Sequence, residues 1–257
     1  MESPLPVIPG AEAFAHDGGP VGALVVHGFT GSPVSMRPWA QELADAGLSV
    51  RLPRLPGHGT TWQEMSLTTW EDWYDCVDAA FGELAQRCDD VFVCGLSMGG
   101  SLSLRLAELR GDAVRGLVLV NPSVHSENKA LVALPLLKRV VKSIKGVGND
   151  IAKPGQDEGC YDRVPTQALY QLTRGWEMVR ADIEKVTQPL LLFRSATDHV
   201  VEPSNAAWIL SHVRSTDVTE RVLPNSYHVA TLDNDAPQIV AGSLELIRRL
   251  APAAAGA

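Results

Sequence analysis

The chain is short of cysteine, has no long apolar run and carries no excess of positive charge. Only four cysteines occur in 257 residues, Cys76, Cys88, Cys94 and Cys160. None stands in a CxxC pair or at a Cys/His metal spacing, so neither a disulfide framework nor a metal site is expected, and the thiols read as reduced and structural. No stretch reaches 18 uninterrupted apolar residues, which removes an ordinary membrane-spanning helix. The opening segment Met1 to Pro6 lacks the basic and apolar parts of a secretory leader, and a cytoplasmic location is expected. A formal charge of −8 gives no basic face for nucleic acid or an anionic membrane, and favours a neutral small molecule as partner. Internal repeats and low-complexity linkers are also missing. One large domain, or one domain with an insertion, is the expectation, and the small-residue tail at 251–257 is expected to fray.

What is present is a rhythm of buried strands and helices. Apolar runs at Ala23 to Val26, Val91 to Cys94, Leu117 to Val120 and Leu190 to Phe193 lack the alternation of a strand with one wet face. Strands covered on both sides read this way, so a mainly parallel sheet with helices on both faces is predicted. Between them, Trp70, Trp73, Tyr74, Val77, Phe81 and Leu84 recur at helical spacing behind a candidate capping box at Thr68 to Glu71. That stripe reads as a core-facing helix rather than an aromatic ligand box. Further helices are predicted near 35–46, 98–110, 203–213 and 235–250.

One interval breaks the alternation. From Asn121-Pro122 to Pro189 the chain is far longer than a sheet connection requires. Residues 123–187 are therefore read as a cap inserted into a core of 1–122 and 188–257. A helix is predicted where Leu137, Val140, Val141 and Ile144 oppose Lys138, Arg139, Lys142 and Lys145. Its apolar face either packs on the main domain or makes transient contact with lipid.

The chemistry centres on Gly95-Leu-Ser97-Met-Gly99, which follows an apolar strand and opens a helix. A serine at such a strained turn can attack an acyl carbon. It needs a general base, and an acid to orient that base, conventionally later in the chain in the order acid then base. Asp198 follows the run 190–193, and His228 follows the strand-like stretch 218–223. Both fall in loops at the strand ends where open α/β sheets place their sites. Rivals remain: His199 as base, although it diverges from Asp198 in one loop, and Asp233 as acid, although that reverses the order. His125 and His212 read as solvated surface, and His27 and His58 as anchors of glycine turns. Backbone N–H groups of Met98 and of Phe29, in His27-Gly-Phe-Thr-Gly31, are the candidate oxyanion donors. The Phe29 ring either walls an acyl pocket or simply packs.

Together HGFTG, the GHG loop at 57–59, GLSMGG, ATDHVV and NSYHVATLD resemble the bacterial carboxylesterase and monoacylglycerol lipase family of α/β-hydrolases. The resemblance spans roughly residues 20 to 250 and is weakest in the cap. It implies an α/β-hydrolase fold and a serine hydrolase of short- to medium-chain esters or monoacylglycerols, with no cofactor and no metal. It implies nucleophile, acid and base at Ser97, Asp198 and His228, with oxyanion donors at Phe29 and Met98. Thioester hydrolysis, carbon–carbon bond hydrolysis, acyl transfer to another alcohol and a non-catalytic receptor are alternatives on the same residues.

Overall fold

A computed structural model describes residues 6–251; the tail expected to fray lies, past Ala251, outside the described residues. In chain order the elements are β1 (Phe14–His16), β2 (Val21–Val26), α1 (Arg37–Asp45), β3 (Ser49–Leu52), α2 (Trp62–Met65), α3 (Trp70–Ala85), β4 (Asp90–Leu96), α4 (Met98–Arg110) and β5 (Gly116–Val120). After β5 come α5 (Leu134–Leu137), β6 (Ser143–Lys145), β7 (Arg163–Pro165), α6 (Thr166–Asp182), β8 (Leu190–Ser195), α7 (Ser204–His212), β9 (Val218–Leu223) and α8 (Ala236–Leu250).

Seven strands form one sheet in the order β1-β3-β2-β4-β5-β8-β9. Every pair is parallel except β1 with β3. Alternate residues of each strand feed two separate cores, as the two-residue period requires. Leu24, Val26, Val93, Leu117 and Leu119 pack with Trp73, Val77, Phe81, Leu102 and Val179 of α3, α4 and α6. Ala23, Val25, Phe92, Val118 and Val120 pack on the other face with Trp39 and Leu43 of α1 and Ile239 and Ile247 of α8. Both faces of the central strands are dry, and this is why their sequences do not alternate. The edge strand β9 is mostly exposed and charged, with Glu220 paired to Arg194 and Arg221 to Glu245, a device that discourages further strand pairing.

The helices predicted near 35–46, 98–110, 203–213 and 235–250, and the one begun at Trp70, fall within a residue or two of α1, α4, α7, α8 and α3. The capping box of α3 sits one residue later than read: Thr69 Oγ1 accepts from Asp72 N–H at 3.2 Å, while Asp72 Oδ2 accepts from Thr69 N–H at 2.8 Å. Thr68 instead accepts from the Trp73 indole at 2.9 Å.

The helix predicted around 137–145 does not exist. A single turn, α5, stops at Leu137, and Ser143–Lys145 pairs antiparallel with Arg163–Pro165. Val140, Val141 and Ile144 are β-branched and disfavour helix, and pairing with β7 takes up the backbone groups of 143–145. The long helix of the interval is α6, which packs on α3 and α4 as part of the main body. Gly175 admits this close approach, since a Cβ there would run into the Trp70 ring. Within the stretch from Ser123 to Pro165, β6 and β7 form a two-stranded sheet separate from the main one. No helix among the described residues is long and apolar enough to cross a membrane.

Candidate active site

Ser97 occupies the turn between β4 and α4 with φ 56° and ψ −119°, a conformation that costs a non-glycine residue energy and must be enforced by its surroundings. The enforcement is local. A Cβ on Gly95 would strike the Gly99 carbonyl and Ser103, and one on Gly99 would strike the carbonyls of Val26 and His27. The turn can therefore close only with glycine at both flanks. Ser97 N–H donates to Val120 O at 3.0 Å, which ties the turn to the end of β5.

His228 lies in the loop after β9 and Asp198 in the loop after β8. The imidazole Nδ1 donates to Asp198 Oδ2 at 2.8 Å, with the two side chains only 9% and 5% exposed. Asp198 Oδ1 accepts from the N–H groups of Val200 and Val201, both at 2.8 Å. Burial works against each charged form, but the mutual bond and charge outweigh it: the Asp198 carboxyl is held below, and the His228 imidazole above, its ordinary value. With Nδ1 engaged, Nε2 is the free, basic nitrogen.

Ser97 and His228 line one cavity of about 300 Å³ with Gly28, Phe29, Leu131, Val164, Leu172 and Trp176 among its other walls. The loop 27–31 arches over Ser97; the Cβ position of Gly28 lies 3.3 Å from Ser97 Cβ. Met98, the first residue of α4, has no intrahelical acceptor for its N–H. Phe29, half-buried, lines the cavity and meets Trp73 edge to face at 5.9 Å.

His27 and His58 do anchor the loops. His27 Nε2 accepts from Leu55 N–H at 3.1 Å, leaving Nδ1 to donate to Gly28 O at 3.0 Å. Burial, with His58 nearby, pushes the His27 pKa down to about 3, and burial pushes that of His58 down to about 4, so both stay neutral.

The rival residues are engaged elsewhere. His199 Nδ1 donates to Asp150 Oδ1 at 2.7 Å, and the Asp233 carboxylate accepts from the backbone of Ala152, Lys153 and Tyr227. His212 is exposed and stacks on Trp208. His125 is not solvated surface as predicted: it is half-buried, lines the cavity and lies 2.9 Å from Ser204 Oγ. Sequence reading also gave no role to Asn121, whose amide donates to His228 O at 2.8 Å and to Ser195 Oγ at 2.9 Å. Its one sequence signal is its place at the end of an apolar strand. A larger groove, of about 650 Å³, lies between α1 and α8; Asp233 lines it, but Ser97, Asp198 and His228 do not.

Known proteins resemble this chain in sequence and in fold. Residues 22–235 match the family model described as serine aminopeptidase, S33. The chain is 44% identical over 249 residues to a thermostable monoacylglycerol lipase of Bacillus sp. (strain H-257), covering 97% of this chain and 99% of that one. This chain is an α/β-hydrolase of the carboxylesterase and monoacylglycerol lipase family. A solved structure from work on LipS and LipT, two metagenome-derived lipolytic enzymes, superposes on this hydrolase with a TM-score of 0.92 at 40% identity, covering 95% of this chain and 100% of that one. A monoacylglycerol lipase of Paleococcus ferrophilus, 20% identical, shares the fold with a TM-score of 0.77 over 92% of this chain and 98% of that one. The hydrolase is thereby a serine-type enzyme.

Proposed function

We propose that the protein hydrolyses short- to medium-chain carboxylic esters, monoacylglycerols among them, by two-step acyl transfer on Ser97. His228 Nε2 takes the Ser97 proton as Oγ attacks the ester carbonyl, then returns it to the departing alcohol. Water repeats the sequence on the acyl-enzyme. Asp198 fixes the tautomer and stabilises the imidazolium. The N–H groups of Phe29 and Met98 receive the oxyanion, each donor contributing about 3–4 kcal/mol to the transition state. The observation that carries this reading is the buried His228–Asp198 bond opening onto the cavity that holds the strained Ser97.

The substrate class rests on the walls. Leu131, Val164, Leu169, Leu172 and Trp176 offer an apolar bed for an acyl chain, and the 44%-identical relative is named as a monoacylglycerol lipase. Lipid contact is supported by the exposure of Val132, Leu136, Val140 and Val147 in a stretch that also carries Lys138, Arg139, Lys142 and Lys145, a composition suited to an anionic or lipid interface. Rates on p-nitrophenyl esters of rising length, beside mono- and triacylglycerols, test the assignment. An optimum at medium chains with monoacylglycerol turnover is expected; turnover of short esters with no glyceride hydrolysis would overturn the lipase part.

A further inference from the structure

The loop between β6 and β7 reaches down from the cap and touches both loops that carry the acid and the base. Asp150 stands at the junction with its side chain 10% exposed. Its Oδ2 accepts from the backbone N–H of His228 at 3.1 Å and from that of His199 at 3.2 Å. Its Oδ1 accepts from the His199 ring at 2.7 Å, and its own carbonyl accepts from Val229 N–H at 3.1 Å. Asp233 returns the contact from the base loop, accepting from Ala152 and Lys153 at 2.7 and 2.9 Å. The two loops share few bonds beyond the His228–Asp198 pair, so a carboxylate that binds both main chains fixes their separation.

We infer that Asp150 is a positioning residue for the acyl-transfer reaction, through which the cap holds the Asp198 and His228 loops in register. The inference rests on the function proposed above. A lost anchor moves the imidazole relative to Ser97, and a displacement of about 1 Å at a reacting group costs on the order of a hundredfold in rate. Because the anchor belongs to the cap, the triad is complete only while that loop is docked.

Asp150 also acts at a distance through charge. The charged groups facing the His228 imidazole are Asp198 from the loop after β8 and Glu158 and Asp150 from the cap, and all three favour the imidazolium. Asp233, in the base loop itself, is turned to backbone N–H groups. The His199 ring bonds Asp150 and meets Tyr227 edge to face at 4.8 Å.

Asp150→Ala and Asp150→Asn, with kcat counted per serine labelled to completion by a fluorophosphonate, provide the test. Asp150→Ala is expected to lower kcat about a hundredfold with KM within about threefold. Asp150→Asn, which keeps the shape and one acceptor but no charge, is expected to lose less and to move the acidic limb of kcat/KM to lower pH. A merely structural residue would lower the count of labelled sites and leave the limb in place. Unchanged kcat per labelled site, or an unmoved limb in Asp150→Asn, would overturn the inference while wild-type turnover persists. Esterase turnover retained by Ser97→Ala would instead overturn the acyl-transfer reading.

Discussion

On the proposed mechanism Ser97 Oγ becomes a nucleophile only while His228 Nε2 is unprotonated, and the carboxylates around the ring hold its proton more tightly than water would. Activity is therefore expected to fall as pH drops through the raised pKa of His228, with the midpoint of kcat/KM above the ordinary histidine value of 6.5. A pH profile on a soluble ester checks this. Asp198→Asn should remove both the oriented tautomer and the charge, lower kcat by on the order of 10⁴ and bring the midpoint down. Measured kcat within tenfold of wild type would count against the orienting role of Asp198. The Asp198–His228 bond and the shared cavity of Ser97 and His228 agree with the sequence pattern because each residue follows its own strand run, and because the glycines at 95 and 99 announce a turn that only a glycine-flanked residue can make. Asp150 and Asn121 were not legible in that pattern. Both act through backbone groups of distant loops, and no residue spacing records which N–H or carbonyl will face them. His125 is half-buried rather than solvated for the same reason: its exposure depends on how the loop after β5 lies.

At the scale of elements, the parallel sheet could be read because strands buried on both faces leave continuous apolar runs. β3 escaped because Arg51 interrupts it, and that arginine lies along the sheet surface to reach Asp17 at 2.8 Å and Glu83 at 3.0 Å. In the interval after β5 the sequence pattern points to a helix at 137–145, whereas the long helix is α6. A stripe of Leu, Val and Ile opposed by lysines satisfies a helical period, yet the β-branched residues and the pairing with Arg163–Pro165 settle on a hairpin. The true helix, α6, packs across α3 at Gly175. Gly175→Ala is expected to destabilise the fold by about 1–3 kcal/mol through overpacking against Trp70, as read by urea unfolding. The same substitution at Gly82, on the open side of α3 with nothing within 4 Å of its added Cβ, should be neutral or stabilising. Equal effects at the two positions would show that α6 does not press on α3.

For the whole molecule, loops at the sheet edge and the stretch after β5 together line the cavity that holds Ser97. The exposed residues Leu136 and Val140 lie outside the catalytic loops. Leu136→Asp combined with Val140→Asp is expected to slow hydrolysis of dispersed monoacylglycerol several-fold while leaving a soluble short ester unaffected; equal slowing of both would place the patch in the fold rather than at an interface. The proposed acyl transfer depends on one serine. The most direct measurement is mass spectrometry of the protein after reaction with a fluorophosphonate, together with ester turnover by Ser97→Ala. One phosphonyl adduct per chain on Ser97, with turnover down at least about a thousandfold in a folded Ser97→Ala protein, is the expected result. An inert Ser97, or full turnover without it, would contradict the nucleophile assignment.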